Sequence, residues 1–332
     1  MEQRKRIGVL GAGHLGRIHI QQLLRIPEWE VIGFFDPDPG QCAKISEEFQ
    51  VPVLGSVSAV IASSDAVDVV TPTLSHHDCA SEALEHGRHV FIEKPVTNTL
   101  DEARDLMEKA RKSGTVVQVG HVERFNPAFI AARSSLDRPM FIEGHRLAQF
   151  NPRGTDVPVI LDLMVHDLDL VLHVVGAKVR DVQASGVQVV SDTPDIANAR
   201  ITFENGCVAN LTASRISMKN MRKMRFFQRD AYIAVDMLEK SVEVVRMRAL
   251  EGEPDPFAVT IDLGANKGHR EISFDKPAVA PTNAIQEELR AFHRSIVSGE
   301  QPIVSMSDGF VALDLAHRIL ERMAANLTRV QA

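Results

Sequence analysis

Cysteine is scarce in this chain. Its 332 residues hold three, Cys42, Cys79 and Cys207, far apart and odd in number. With no Cys-x-x-Cys pair, neither a zinc knuckle nor a disulfide framework is indicated, and each thiol reads as a small packed side chain rather than a nucleophile. No apolar run approaches the ~20 residues that a membrane helix needs, so no membrane partner is expected. Basic charge is not in excess: 44 acidic residues outnumber 37 basic ones, for a formal net charge of −7. A general nucleic-acid surface is not expected on that balance. The N-terminal segment lacks the long apolar stretch and small-residue cleavage site of a signal peptide, so the expected location is cytoplasmic. The chain also lacks internal repeats and low-complexity segments.

What is present suits two domains: 44% of the residues are hydrophobic and 24% charged, enough apolar material for two cores. The first part alternates strand and helix signals. Strands are read at 6–10, 30–35, 67–71, 89–92 and 116–119, and helices at 15–24, 41–49, 57–63, 78–85 and 100–111. Repeated βα units of this kind predict a parallel sheet with right-handed crossovers. After Gly120 the rhythm changes. One strongly apolar helix, 160–175, is followed by longer alternating runs at 182–189, 197–204, 207–214, 225–228, 231–235 and 242–246. The turn Glu204-Asn205-Gly206 is a hairpin signal. Pro254, Pro256, Pro277 and Pro281 mark an irregular stretch, and helices at 284–298 and 308–327 close the chain. The expected organisation is an α/β domain over 1–121 and an α+β domain with an antiparallel sheet over 122–332.

The strongest motif is Gly11-Ala12-Gly13-His14-Leu15-Gly16, which follows a predicted strand and opens a predicted helix. Gly11 permits the tight turn, Gly13 lets a pyrophosphate approach the backbone, and Gly16 lets helix and strand pack closely. The helix start at His14 and Leu15 offers unpaired N–H groups and a partial positive charge to phosphate. Twenty residues after Gly16 the second strand ends at Asp36. A carboxylate there accepts bonds from the adenosine ribose and repels the extra phosphate of NADP, so the expected cofactor is NAD and the domain a Rossmann domain. Thr71-Pro72-Thr73 ends the third strand at the carboxyl edge of the sheet. Thr73 and His76 either line the cofactor or simply close a turn.

Glu93-Lys94-Pro95 ends the next strand on the same edge. A lysine there stabilises a developing alkoxide or, with a lowered pKa, acts as a base; the alternative is a surface lysine. The second constellation is a stripe of Asp162, His166, Asp169 and His173 on an otherwise apolar helix, spaced i, i+4, i+7, i+11. Such a stripe faces a catalytic cleft, a buried hydrogen-bond network or a metal. A third metal ligand is not evident, and no metal is expected.

Five motifs stand in a fixed order: the glycine loop, Asp36, Glu93-Lys94-Pro95, Val119-Gly120-His121-Val122-Glu123-Arg124-Phe125-Asn126-Pro127, and Asp162-x-x-x-His166. In this the chain resembles the glucose-fructose oxidoreductase / inositol dehydrogenase / MocA (Gfo/Idh/MocA) family over essentially its whole length. The resemblance implies a C-terminal domain with a large, mainly antiparallel sheet. It also implies a homo-oligomer, dimer or tetramer, associating through that sheet. It assigns catalytic roles to Lys94, Asp162 and His166 and implies a cis Lys94–Pro95 bond; by their position at the carboxyl edge, Thr71, Pro72, Thr73, His76, Glu93 and Lys94 are expected among the cofactor-binding residues. One departure is Val157-Pro158-Val159-Ile160 where the family often carries a small, glycine-rich stretch, which would make the pocket wall bulkier. The segments 121–127, 153–156 and 160–170 are similar to a nucleotide-sugar branch, the UDP-N-acetylglucosamine 3-dehydrogenases. The implied substrate is a UDP-sugar oxidised at C3, with Arg124, Asn126, Arg153 and His166 at the substrate. Arg124, Arg146 and Arg153 suit a pyrophosphate, or else pair with Glu123, Glu143 or Asp156. Inositol, simple-sugar and dihydrodiol dehydrogenases of the family stay open, as does a non-catalytic sensor on the same fold. The basic run 219–229 reads as a solvated sheet edge.

Overall fold

The computed structural model describes residues 4–151, 157–250, 259–264 and 268–331. The chain divides into two compact units, one of residues 1–125 and 282–314 and one of residues 126–281 and 315–332.

In the first unit the βα alternation forms as the sequence predicts. The order is β1 (Lys5–Leu10), α1 (His14–Leu23), β2 (Trp29–Phe35), α2 (Pro39–Phe49), α3 (Val57–Ser63), β3 (Ala66–Val69), α4 (His76–Glu85), β4 (His89–Glu93), α5 (Leu100–Ser113) and β5 (Val117–Gly120). Local chemistry sets the boundaries. Asp38 caps α2 by accepting the Gly40 and Gln41 N–H groups. Thr99 and Glu102 form a capping box on α5, which ends at a left-handed Gly114. The five strands lie in the order β2-β1-β3-β4-β5, all parallel. The ends of β1, β3 and β4 therefore share one edge, with the topological switch between β1 and β3.

The second unit starts with α6 (Pro127–Ala132) and β6 (Phe141–Leu147). A wide π turn, Ile160–Met164, runs into α7 (Val165–Val175). Then come β7 (Val179–Val187), β8 (Ile196–Phe203), β9 (Val208–Ser214), β10 (Met221–Phe227), β11 (Ala231–Asp236), β12 (Ser241–Ala249), β13 (Val259–Asp262) and β14 (His269–Asp275). Among the described residues they make a nine-stranded sheet, β13-β14-β12-β11-β10-β6-β9-β8-β7, antiparallel except for the β6–β9 pair. The reading of the sequence missed α6, β6, β13 and β14. In β6 the positions that face the core are Ile142, Gly144 and Arg146, and a glycine and an arginine there hide the alternation. The basic run is corrected too: β10 lies inside the sheet between β11 and β6, not at its edge. Its charges form cross-strand pairs, Lys223 with Asp236 at 3.0 Å and Arg225 with Glu143 at 2.8 Å.

Of the helices that close the chain, α8 (Ala284–Ser298) and the start of α9 (Met306–Gln331) lie in the first unit, although the sequence reading placed them with residues 122–332. All of α8 belongs to the first unit. Leu289 and Phe292 are fully buried in the core that holds Trp29, and the Trp29 indole N–H donates to the Leu289 carbonyl at 3.1 Å. The amphipathic pattern shows that α8 has an apolar face, but not which of two cores that face fills. From residue 315 onward α9 is part of the second unit, whose core takes Leu315, Ala316, Ile319 and Met323. Val159 and Ile160 are fully buried in the same core. They are packing residues rather than a bulky pocket wall.

Candidate functional site

At the carboxyl end of β1 the backbone turns at Gly11, whose φ is +96° and whose added Cβ would lie 2.6 Å from the Val70 carbonyl oxygen. A Cβ on Gly16 would lie 2.1 Å from the Gly11 carbonyl oxygen. Both positions therefore require glycine, one for conformation and one for close packing of α1. A Cβ on Gly13 would meet nothing within 4 Å. That open cradle lies where α1 begins without a side-chain cap, so the N–H groups at exposed His14 and half-buried Leu15 are available to an anion. Asp36 accepts the Ala12 N–H at 2.7 Å with one oxygen and the Asp38 N–H at 2.9 Å with the other. Each oxygen keeps a lone pair for a ribose hydroxyl. This donor and acceptor set fits a dinucleotide.

The loop after β3 supplies Thr71, half-buried with its Oγ1 lacking a hydrogen-bond partner, exposed Pro72 and half-buried Thr73. An unpaired buried hydroxyl at this edge is suited to a ligand. His76 differs from the expectation that its side chain lines the cofactor. It is 1% exposed, and its Nδ1 and Nε2 lie 3.0 Å from the Pro95 and 2.9 Å from the Thr71 carbonyl oxygens. Burial holds its pKa below the usual imidazole value, and a neutral ring has a single N–H, so it donates to one of these carbonyls and packs against the other. Lys94 is half-buried after β4, and the Lys94–Pro95 peptide is cis.

Beneath Lys94 lies a cluster that sequence reasoning missed. His19 of α1, Asp68 of β3, Glu93 of β4 and Glu288 of α8 are all buried. His19 Nδ1 is 2.9 Å from Asp68, and its Nε2 is 3.1 Å from Glu93. Burial opposes a charge on His19, but the Asp68 and Glu93 carboxylates outweigh it and hold the imidazole well above its usual range. Burial likewise raises Glu93, but His19 and then Lys94 bring it below the usual carboxylate range. Burial and the neighbouring Glu93 push the Glu288 carboxyl well above its usual range. His19, Glu93 and Glu288 offer ligand atoms within 4.8 Å of one another, close enough to hold a cation. The signal was present: Asp68 is a lone acid in the apolar run Ala66-Val67-Asp68-Val69-Val70.

In the second unit Asp162 lies in the π turn and His166 in α7, both half-buried, with Asp169 buried and His173 half-buried further along. The Val165 N–H reaches back five residues to Ile160, so the turn is wider than the α-helical spacing assumed. Arg146 is no pyrophosphate ligand and no surface residue. It is buried and pairs through both Nε and Nη2 with Asp167 at 2.7–3.1 Å. Asn126 caps α6 by accepting the Ala128 N–H and donates to the Met237 carbonyl. Arg124 is buried in the first unit, 3.5 Å from Asp308. Arg153 and the segment 153–156 lie outside the described residues.

Residues 5–121 match the family described as "Oxidoreductase family, NAD-binding Rossmann fold", and residues 130–233 match the "GFO/IDH/MocA C-terminal domain". The chain is 42% identical over 261 residues to the UDP-N-acetylglucosamine 3-dehydrogenase of Acidithiobacillus ferrooxidans, covering 78% of this chain and 83% of that protein. A solved structure of that organism's UDP-N-acetylglucosamine 3-dehydrogenase superposes with a TM-score of 0.87 at 34% identity, covering 97% of this chain and 98% of that one. The scyllo-inositol 2-dehydrogenase (NAD(+)) of Bacillus subtilis is 29% identical over 237 residues, 65% of this chain and 69% of that protein.

Proposed function

The chain belongs to the Gfo/Idh/MocA oxidoreductase family, and on that premise we propose that it is an NAD-dependent dehydrogenase that oxidises C3 of a UDP-linked N-acetylhexosamine. The observation that carries this reading is the identity shared with the UDP-N-acetylglucosamine 3-dehydrogenase. NAD supplies the hydride acceptor. Gly11, Gly13, Gly16 and the start of α1 would hold its pyrophosphate, and Asp36 its adenosine ribose. The loops at Thr71–Thr73 and Glu93–Lys94 lie on the same sheet edge. In this reading His166 accepts the hydroxyl proton and Asp162 orients the imidazole. The Lys94 ammonium donates a hydrogen bond to the oxygen as negative charge develops. A nucleotide handle supplies binding energy far from the reacting carbon, with Arg124 and Arg153 as its guanidinium candidates. Family membership also supports a homodimer or homotetramer. No helix among the described residues is long and apolar enough to cross a membrane.

The test is turnover with NAD of UDP-N-acetylglucosamine, its uronic acid, UDP-glucose, free N-acetylglucosamine and myo-inositol. An aminotransferase with glutamate traps the keto product, and mass spectrometry reads it. Turnover of a UDP-N-acetylhexosamine is expected, and Lys94→Met and His166→Asn should each lower kcat by ~10²-fold or more with NAD affinity nearly intact. Turnover of free inositol or sugar with none of the UDP compounds would overturn the substrate assignment. That result would favour the second reading, a polyol dehydrogenase, which the inositol dehydrogenase similarity supports.

A further inference from the structure

The turn that carries Lys94 is gripped at two backbone atoms from inside the first unit. Glu93 Oε2 accepts the Lys94 N–H at 3.1 Å, and His76 Nδ1 lies 3.0 Å from the carbonyl oxygen of Pro95. Each grip is itself held. The other Glu93 oxygen faces His19 Nε2 at 3.1 Å, and His19 Nδ1 is fixed by Asp68 at 2.9 Å. The second nitrogen of His76 lies 2.9 Å from the Thr71 carbonyl oxygen. Both imidazoles are at most 1% exposed. Gly120 leaves the room that Glu93 needs, since a Cβ there would lie 2.7 Å from Glu93 Oε1.

We infer that His19 and His76 are positioning residues for Lys94, two buried histidines that lock the Lys94 turn to the glycine-loop helix on one side and to the Thr71 loop on the other. The inference rests on the reading of Lys94 as a catalytic group. A histidine that merely fills a core satisfies whichever nitrogen it must. Here His19 Nδ1 bonds Asp68 and both His76 nitrogens lie against the carbonyl oxygens of Pro95 and Thr71, while His19 Nε2 stands 3.1 Å from Glu93 without hydrogen-bond geometry. His19 joins α1 to β3 and β4, and His76 joins the exit of β3 to the exit of β4. The three loops of the cofactor edge thus share one rigid scaffold. Neither histidine need touch substrate to matter, because a misplacement of ~1 Å at a reacting group can cost ~10²-fold in rate.

The test replaces His76 with Leu, which fills space without a donor, and with Gln, which restores one. His19→Gln is a companion variant, but it leaves Asp68 and Glu93 buried against an amide and can fail to fold, so His76 decides. The first readout is kcat for UDP-N-acetylglucosamine set against the NAD dissociation constant from fluorescence. The second needs no substrate: the rate at which acetic anhydride acylates Lys94, read by peptide mass spectrometry. In folded His76→Leu we expect kcat lower by about 10²-fold, NAD affinity within about twofold, a changed Lys94 acylation rate, and partial recovery in His76→Gln. Unchanged kcat and acylation, or loss of NAD affinity in parallel with kcat, would overturn the inference. If the wild-type protein turns over no UDP-sugar, the proposed substrate fails and acylation alone decides: changed in His76→Leu supports the clamp, unchanged rejects it.

Discussion

In the second unit, Arg146 and Asp167 meet through a forked pair at 2.7–3.1 Å with both side chains at most 4% exposed. Asp195, also buried, accepts the N–H groups of Val189, Val190 and Ser191 and the Ser191 hydroxyl. In the first unit, His19 faces three acidic side chains, those of Asp68, Glu93 and Glu288, and neither Glu288 oxygen has a hydrogen-bond partner. One unit buries charge that is matched, donor to acceptor; the other buries more acid than its own cation balances. A matched pair locks a fold and has little left to offer a ligand. An unmatched cluster stands near functional groups more often than chance, because perturbed ionisation is what chemistry needs. Here the unmatched cluster lies under the turn that bears Lys94, and the matched groups lie in the core of the large sheet.

That contrast breaks most sharply at Arg146. Arg146→Met alone should cost about 3–5 kcal/mol, because it strands a buried carboxylate, while Arg146→Met with Asp167→Leu should recover most of the loss. Urea unfolding of the two variants measures this. A single variant within about 1 kcal/mol of wild type would mean that the pair is not load-sharing in the buried core.

Asp195 sharpens the same side of the comparison through pH. Burial raises its pKa, but the Ser191 hydroxyl and then the Val190, Val189 and Ser191 N–H groups outweigh that and bring it to about 2. A carboxyl depressed on folding contributes stability above its unfolded pKa, and that contribution is lost as pH falls from about 4 towards 2. The Asp195→Asn variant should therefore be less stable than wild type near neutrality by roughly 2 kcal/mol or less, and the gap should close at low pH. Thermal melts between pH 7 and 2.5 decide it; a gap that stays constant with pH would show that charge on Asp195 is not the stabilising feature.

The smallest effect belongs to the other side. Because burial pushes the Glu288 carboxyl well above its usual range, the neutral isostere Glu288→Gln should change stability by less than about 1 kcal/mol. Urea unfolding reads this as well. A loss of several kcal/mol would mean that Glu288 is ionised and paired, and the two units would then bury charge in the same way.

Where the sequence was legible, the reason was local. The glycine loop and the hairpin at Asn205–Gly206 each depend on neighbours a few residues away. Their backbone demands can be read from the string. Asp36, Lys94 and Pro95 were found because parallel strands deliver their carboxyl ends to one edge. β6 was missed because its inward face carries Gly144 and Arg146, residues whose burial makes sense only once Leu211 and Asp167 are known to face them. The four-residue cluster was missed for the same reason: its members come from residues 19, 68, 93 and 288. Asp68 alone hinted at a buried partner, and nothing in the spacing named it.

The string of residues by itself determined the alternation of strand and helix in the first unit, the conformation that Gly11 must adopt, and the carboxylate that awaits a ribose, because each follows from short-range sterics and hydrogen bonding. Only the tertiary structure decided that α8 completes the first core, that Arg146 answers Asp167 instead of a phosphate, and that His19 and His76 hold the Lys94 turn. Those outcomes join residues 19 to 260 positions apart, and only the folded chain, by excluding water from them, turns such distant groups into partners.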